Sequence, residues 1–97
     1  MTRALLVASR AEDDLRGIWL YSAEAWGEAQ ADLYLDALAA AISACGEEPE
    51  RGRPRDDVRP GSWSRLAVRH VIFYRFDDEQ VVVQRVLHAA MDPRRHA

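Results

Sequence analysis

The feature that most constrains this sequence is a pair of β-rich runs near its end. The first run is Val71 to Phe76, and the second extends from Gln80 to His88. Only the acidic residues 77–79 separate the two runs, which predicts an antiparallel hairpin. A third run, Trp63 to Val68, precedes them at close spacing. Such short connections favour a three-stranded antiparallel meander over a parallel βαβ arrangement.

Helical periodicity dominates the first half of the chain. A short apolar run at residues 3–8 predicts a first strand, and Ser9 with Glu12 forms an S-x-x-E capping box at the start of a helix. Gly27 is the predicted end of this helix, whose apolar face comprises Leu15, Ile18, Trp19, Ser22 and Trp26. A second helix follows at once and is predicted to end at Gly46, with one face made by Ala31, Tyr34, Leu35, Leu38, Ile42 and Cys45. With almost no linker between them, the two helices predict an antiparallel helical hairpin.

The element order β-α-α-β-β-β predicts an α+β fold in one domain spanning residues 1–97, with the helical hairpin packed on one face of a curved sheet. We expect the core to join helical side chains to strand side chains, namely Leu15, Ile18, Trp19, Leu38 and Ile42 to Val71, Phe73, Val81 and Val83. Trp26 is expected to be core as well. Residues 47–62, rich in Pro, Gly and charge, are expected to form a surface loop. The second sheet face is then either covered by this loop or available to a partner.

Charge and cysteine content exclude several classes of protein. The net charge is −3, and all 13 basic residues are arginines. Residues 1–46 carry three Arg against seven acids, a balance of −4, whereas residues 47–97 carry ten against nine, a balance of +1. A chain this acidic is not a nonspecific nucleic-acid binder. The lone Cys45 cannot form an internal disulfide, and no signal peptide or membrane span is visible, so we expect a cytoplasmic protein.

The sequence offers no recognisable metal or cofactor site. Its histidines, His70, His88 and His96, are not spaced like the ligands of a metal motif, and no Cys-x-x-Cys pair or Gly-rich phosphate loop is present. We therefore predict neither a metal nor a cofactor.

An ordered set of local motifs resembles the ParE branch of the RelE/ParE toxins of bacterial type II toxin–antitoxin systems. The set covers essentially the whole chain and comprises Ser9 with Glu12, Asp14, Leu15, Ile18 and Trp19; Tyr21-Ser22; Trp26-Gly27 at the helix corner; Pro54 and Arg59 before Phe73-Tyr74-Arg75; and Arg85 to His88 with Met91-Asp92. The resemblance implies a toxin that inhibits DNA gyrase without covalent catalysis. It also implies a ParD-like antitoxin, which dimerises through a DNA-binding part and lays its C-terminal segment over the toxin. This chain is expected to bind no DNA sequence itself.

Two other functions remain open at this stage. The first is ribosome-dependent mRNA cleavage of the RelE kind, which needs a proton donor and acceptor and cationic groups for the phosphate. Arg65, Arg85 and His88 are the candidate residues for it. Against it stand the acidic charge and the absence of Tyr after His88, so a structural hydrogen bond by His88 is the more ordinary interpretation. The second alternative is an inactive toxin fold that only binds a partner.

Five residues are candidates for antitoxin binding: Trp26, Tyr34, Leu35, Arg75 and Arg85. The first three lie around the helical hairpin, where we expect an apolar groove that an amphipathic antitoxin helix can fill. The two arginines lie on strands and can form bidentate contacts with carboxylates of an acidic antitoxin segment. The simpler interpretation is that they are cross-strand neighbours, paired with Asp77 or Glu79 for solubility.

Overall fold

The computed structural model describes residues 3–96 and confirms the predicted α+β class and element order. A strand β1 (Ala4–Val7) leads into helices α1 (Ser9–Trp26) and α2 (Glu28–Glu47). A 3₁₀ turn (Pro49–Arg51) and a two-residue strand β2 (Arg53–Pro54) follow, and then β3 (Trp63–Ala67), β4 (His70–Phe76), β5 (Gln80–His88) and a short helix α3 (Pro93–His96).

The sheet has five strands in the order β1-β5-β4-β3-β2. The predicted antiparallel meander β3-β4-β5 forms its centre, while β1 pairs with β5 in parallel, so the sheet is mixed. Residues 47–62 were expected to be irregular, but Arg53 and Pro54 pair with Ser64 and Trp63 and extend the sheet by one short edge strand.

The helix corner forms as predicted, but the start of α1 does not. Gly27 ends α1 with φ of 93°, a value that favours glycine, and it also stands at the N-cap of α2. The predicted capping box at Ser9 is wrong, because the N-cap is Ala8 and no side chain in residues 3–96 caps the helix. Ala8 is extended and donates its N–H to the Val83 carbonyl, so the last residue bonded to the sheet is also the N-cap of the helix.

The core joins the helices to a different set of β4 residues from the one expected. Ile72 and Tyr74 are fully buried in the main cluster with Leu38, Val81 and Val83. Phe73 is buried too, but on the opposite face, where the Arg55 guanidinium lies 5.6 Å from its ring centre. Because β4 is apolar on both faces, the alternation of its residues does not show which face meets the helices. The expected set, Val71 and Phe73, was therefore shifted by one residue from the observed set, Ile72 and Tyr74.

Two of the predicted core tryptophans are not in the core. Trp26 is 60% exposed at the helix corner, which corrects the prediction. Trp19 is only half-buried, and its indole N–H donates to Asp32 across the helical hairpin at 2.8 Å. A large ring with one polar end fits this position because its N–H finds an acceptor while its body still covers the helix interface.

One buried hydrogen bond fixes the turn after α2. The Tyr74 hydroxyl donates to the Pro49 carbonyl at 2.7 Å, and both residues are buried. Burial raises the pKa of Tyr74 to about 12, so the hydroxyl keeps its proton. A Cβ at Gly52 would lie 1.8 Å from this hydroxyl oxygen. The 3₁₀ turn therefore needs glycine at position 52 because the tyrosine occupies the space of a side chain.

We expect Gly52→Ala and Tyr74→Phe to couple. Tyr74→Phe leaves the Pro49 carbonyl with only the Gly52 N–H as a donor, at 3.3 Å, and should cost about 0.5–1.5 kcal/mol of unfolding free energy. Gly52→Ala should cost more than about 2 kcal/mol through the clash, and the double variant should lose less than the sum because the hydroxyl is gone. Urea unfolding of the four proteins measures this.

Gly17→Ala is the matched control. Nothing lies within 4 Å of a Cβ at Gly17, so this change in α1 should stabilise by about 0.5–1 kcal/mol. Strict additivity of the Gly52 and Tyr74 changes would contradict the proposed clash.

Candidate partner-binding groove

A large groove opens between the helical hairpin and one end of the sheet. It encloses about 1030 Å³. We call it the hairpin groove. Its walls come from α1, α2, the turn between β3 and β4, the start of β4, the end of β5 and the C-terminal tail. The lining residues are Asp13, Asp14, Gly17, Ile18, Tyr21, Ser22, Trp26, Gln30, Tyr34, Val68, Arg69, His70, Arg85, Val86, Leu87, His88, Met91 and His96.

Exposed apolar side chains rim this groove. Tyr21 and Trp26 are 67% and 60% exposed and form an edge-to-face pair with ring centres 6.1 Å apart. Val68 and Met91 lie on the sheet side and are 61% and 46% exposed. Four large apolar groups around one concavity are what a protein-binding groove requires, since a partner gains most by covering such groups.

The floor of the groove carries a small polar cluster. The Tyr34 hydroxyl lies 2.7 Å from His70 Nδ1 and accepts the Arg69 backbone N–H at 3.2 Å. His70 lies opposite His88 on the neighbouring strand, with ring centres 5.3 Å apart. His88 Nδ1 accepts the Ala90 backbone N–H at 3.0 Å. Partial burial, and next the proximity of His88, lower the pKa of His70, which favours the neutral ring.

A partly buried ion pair forms the back of the groove. Arg85 donates two hydrogen bonds to the Asp14 carboxylate at 2.8 and 2.9 Å, and the Val86 N–H donates to the same carboxylate at 2.9 Å. Both side chains are only 15% exposed. The third contact of Arg85 is with the carbonyl of His96. Because β1 ends at Val7 opposite Val83, Asp14 supplies the acceptor that a neighbouring strand would otherwise give to Val86.

The structure brings three of the five antitoxin-binding candidates into the groove. Trp26, Tyr34 and Arg85 line it, whereas Leu35 is partly buried against the core. Arg75 lies elsewhere, with its guanidinium against Gly61 on the other face of the sheet. Antitoxin contact by these residues stays a prediction.

The simpler interpretation of the two strand arginines is wrong in its geometry. Arg75 lies opposite Val82, and Arg85 lies opposite Phe73, so they are not cross-strand neighbours. Arg85 pairs with Asp14, a residue on another element 71 positions away. Arg75 has no ion-pair partner in the part of the chain that the structure describes.

The residues proposed for ribonuclease chemistry are not assembled in one place. Arg85 and His88 both line the hairpin groove, but the guanidinium of Arg85 is already engaged by Asp14. Arg65 does not line the groove; its charge acts instead on the buried Cys45 thiol and on Tyr74. Burial raises the pKa of Cys45, and Arg65 opposes this effect only in part.

The loop after β2 covers only part of the outer sheet face. Val58 and Ser62 come together with Phe73 and Leu87 around a cavity of about 270 Å³. Leu66, on the same face by alternation along β3, is 66% exposed. Both outcomes considered for this face, cover by the loop and exposure to a partner, therefore occur side by side.

The sequence analysis did not identify His70 as part of the groove. Counting back along the hairpin from the pair Phe76–Val81 places His70 opposite Leu87, and the irregularity at Phe73/Tyr74 shifts this partner to His88. Hairpin register alone could have brought the two histidines within one residue of each other. No sequence signal places Tyr34 of α2 against them.

Residues 3–96 contain no group of three or more His, Cys, Asp or Glu that could hold a metal ion. Within the same residues, no helix is long and apolar enough to cross a membrane.

Comparison with known proteins identifies relatives over nearly the full length. The profile of the family described as "ParE toxin of type II toxin-antitoxin system, parDE" matches residues 5–93. Toxin ParE1 of Caulobacter vibrioides is 39% identical over 90 residues, 93% of either chain. Toxin ParE1 of Mycobacterium tuberculosis is 37% identical over 97 residues, 99% of either chain.

Solved structures share the fold. A chain of the chromosomal ParDE toxin–antitoxin system from P. aeruginosa superposes with a TM-score of 0.80 at 15% identity, covering 90% of this chain and 96% of that one. A chain of the RelBE2 toxin–antitoxin complex from Mycobacterium tuberculosis gives 0.67 at 23% identity, covering 91% and 99%.

Breaking the Asp14–Arg85 pair should destabilise the chain. Asp14→Ala leaves a guanidinium and the Val86 N–H without their shared acceptor, which should cost about 1–3 kcal/mol of unfolding free energy. Arg85→Lys keeps the charge but loses the bidentate geometry, so its loss should be intermediate. Chemical denaturation measures both.

Arg75→Ala is the control. It breaks no ion pair in residues 3–96, so its unfolding free energy should stay within about 0.5 kcal/mol of the parent value. Equal stability of Asp14→Ala and Arg75→Ala would contradict the role of the pair.

Proposed function

Because this chain belongs to the ParE toxins of type II toxin–antitoxin systems, we propose that it inhibits DNA gyrase in the cytoplasm and is neutralised by a ParD-like antitoxin that fills the hairpin groove. The match of the ParE profile to residues 5–93 is the observation that carries the proposal. Gyrase as the target follows from the resemblance of the chain to this family. Neutralisation in the groove has support from the geometry of this chain.

The groove has the size and chemistry of a peptide-binding site. It encloses about 1030 Å³ and presents an aromatic pair on one wall and Val68 and Met91 on the other. An amphipathic helix can lay its apolar face into such a groove. The solved relatives come from a ParDE system and a RelBE2 complex, so an antitoxin is the natural occupant.

A direct action on gyrase is favoured over mRNA cleavage by the state of Arg85. A ribonuclease needs cationic groups free to stabilise the reacting phosphate. In this chain Arg85 is held by Asp14, and Arg65 lies outside the groove that contains His88. We therefore propose that the toxin acts by binding its target and does not use Arg65, Arg85 and His88 as a catalytic set.

Arg75 remains a candidate contact only for a part of an acidic antitoxin that extends beyond the hairpin groove onto the outer sheet face. Its side chain is exposed and unpaired within residues 3–96, and it lies on a strand that fixes its direction. Arg85 is the weaker choice, because truncating it also breaks a structural ion pair.

Trp26→Ala should weaken binding of the antitoxin. A largely exposed tryptophan that a partner covers is a typical binding hot spot, so the expected loss is about 2–4 kcal/mol of binding free energy. The antitoxin is the protein from the neighbouring reading frame that restores growth when co-expressed, and calorimetry measures its affinity. Leu33→Ala is the matched control, since Leu33 is 63% exposed but does not line the groove. Equal losses in the two variants would contradict the groove as the binding site.

Purified toxin should inhibit supercoiling by DNA gyrase, and its expression without antitoxin should induce the DNA-damage response. His88→Ala should remain toxic, because a binding toxin does not need a general acid. A ribonuclease that used His88 would lose about 10²–10⁴-fold in rate. Cleavage of mRNA at ribosomal A-site codons, with unaffected gyrase and a harmless His88→Ala protein, would assign the chain to the ribonuclease class instead. Binding to the antitoxin with neither activity would leave only the inactive binding module.

A further inference from the structure

The floor of the hairpin groove presents two hydrogen-bond donors that have no acceptor in residues 3–96. Tyr34 Oη accepts the Arg69 N–H and lies 2.7 Å from His70 Nδ1, and we assign the hydroxyl as the donor in this second bond because its oxygen already accepts the first. A neutral His70 therefore carries its proton on Nε2. His88 accepts the Ala90 N–H at Nδ1, which leaves the proton of its neutral ring on Nε2 as well. The two imidazole rings meet edge to face on the groove floor, with centres 5.3 Å apart and planes at 79°.

The charges around this pair leave a place for an anion. On α1, Asp13 is paired with Arg16 and Asp14 with Arg85 of β5, so neither carboxylate is free for the histidines. The remaining charged or titratable groups that line the groove are Tyr21 on α1, Tyr34 on α2, Arg69 in the turn and His96 on α3. Arg69 has no ion-pair partner within residues 3–96. The unpaired groups near the two rings are therefore neutral or cationic.

The groove combines this polar floor with apolar walls, and that combination defines the occupant. The apolar walls, with Trp26 and Tyr21 on one side and Met91 on the other, favour a partner that presents apolar side chains. Imidazole N–H donors and an arginine without an ion-pair partner in residues 3–96, all lining one groove, favour a carboxylate as their partner. A helix that is apolar on one face and carries an Asp or Glu within that face matches both requirements.

We propose that the antitoxin segment in the hairpin groove places one carboxylate on the Nε2–H groups of His70 and His88, and that the complex takes up a proton at His70 as it forms. This proposal rests on the proposed function, because it concerns the chemistry of the same groove. The proton comes from solvent and binds Nδ1 of His70. Tyr34 Oη can then turn and accept a hydrogen bond from this new N–H.

His70 is the better proton site of the two. Protonation of His88 at Nδ1 would break its hydrogen bond with the Ala90 N–H, whereas His70 exchanges one hydrogen bond for another. In the free chain the pKa of His70 is lowered, by burial first and then by His88, so the ring is neutral near pH 7. A carboxylate at hydrogen-bond distance raises the pKa of an imidazole. At any pH between the pKa of His70 in the free toxin and its pKa in the complex, formation of the complex therefore takes up protons from solvent.

Calorimetry of the purified full chain with the growth-restoring antitoxin tests this proposal. Titrations near pH 6.5 in two buffers of different ionisation enthalpy should give an uptake approaching about one proton. The dissociation constant should tighten as the pH is lowered from 8 to 6, by up to about tenfold per pH unit. His70→Gln keeps an N–H donor but cannot be charged, so it should abolish the proton uptake and flatten the dependence of the dissociation constant on pH between 8 and 6.

Two further variants separate recognition from folding. His88→Gln should retain proton uptake, because the proton binds at His70. If His70→Gln does not fold, His70→Asn replaces it, since the asparagine amide oxygen can still accept a hydrogen bond from Tyr34. Thermal unfolding of each variant checks the fold. Tight binding with no proton uptake, or with the same uptake in the folded His70 variants, would overturn the proposed proton linkage and leave the antitoxin groove standing. Absence of antitoxin binding by the parent chain would overturn the proposed function together with this inference.

Discussion

The Asp14 carboxylate is the contact on which the rest of this structure depends. β5 lies between β4 and the edge strand β1, but β1 stops at Val7, so the second half of β5 has a free edge next to α1. Asp14 closes this edge by accepting the Val86 N–H and by holding Arg85 in a bidentate pair. Burying a carboxylate and a guanidinium is costly unless both are well hydrogen-bonded. Here the pair is satisfied, and it fixes the helical hairpin over the end of the sheet.

The hairpin groove is a consequence of this arrangement. α1 is held to β5 at Asp14 but continues to Trp26, and α2 returns past Tyr34, which reaches His70 at the start of β4. The helices therefore diverge from the sheet between these two tethers and leave about 1030 Å³ open to solvent. The exposed Trp26 and Tyr21 lie at the far end of this space, where the chain itself provides no cover. Exposed apolar groups of this kind promote aggregation of an isolated protein, whereas in a protein that binds a partner they form the binding surface.

Local patterns allowed much of the fold to be predicted, and long-range contacts were the part that could not be. Gly27 and the α2 face with Leu38 and Ile42 follow from helical spacing and glycine chemistry, and both are observed. The face of β4 could not be assigned, since Val71 to Tyr74 is apolar at every position and only packing selects Ile72 and Tyr74. The Asp14–Arg85 pair joins residues 71 positions apart, and no periodic pattern in the sequence indicates this contact. Trp26 was assigned to the core on its apolar character, which is also what a partner-binding residue shows.

The central claim is that the antitoxin occupies the hairpin groove, and amide hydrogen exchange tests it most directly. Exchange of the free toxin and of its antitoxin complex, compared at one pH, reports which backbone amides become protected on binding. The structure predicts new protection at residues 68–70, at residues 89–91 and along the second half of α1. Protection confined to the outer sheet face, around Arg75 and Leu66, with unchanged exchange at the groove, would contradict the claim.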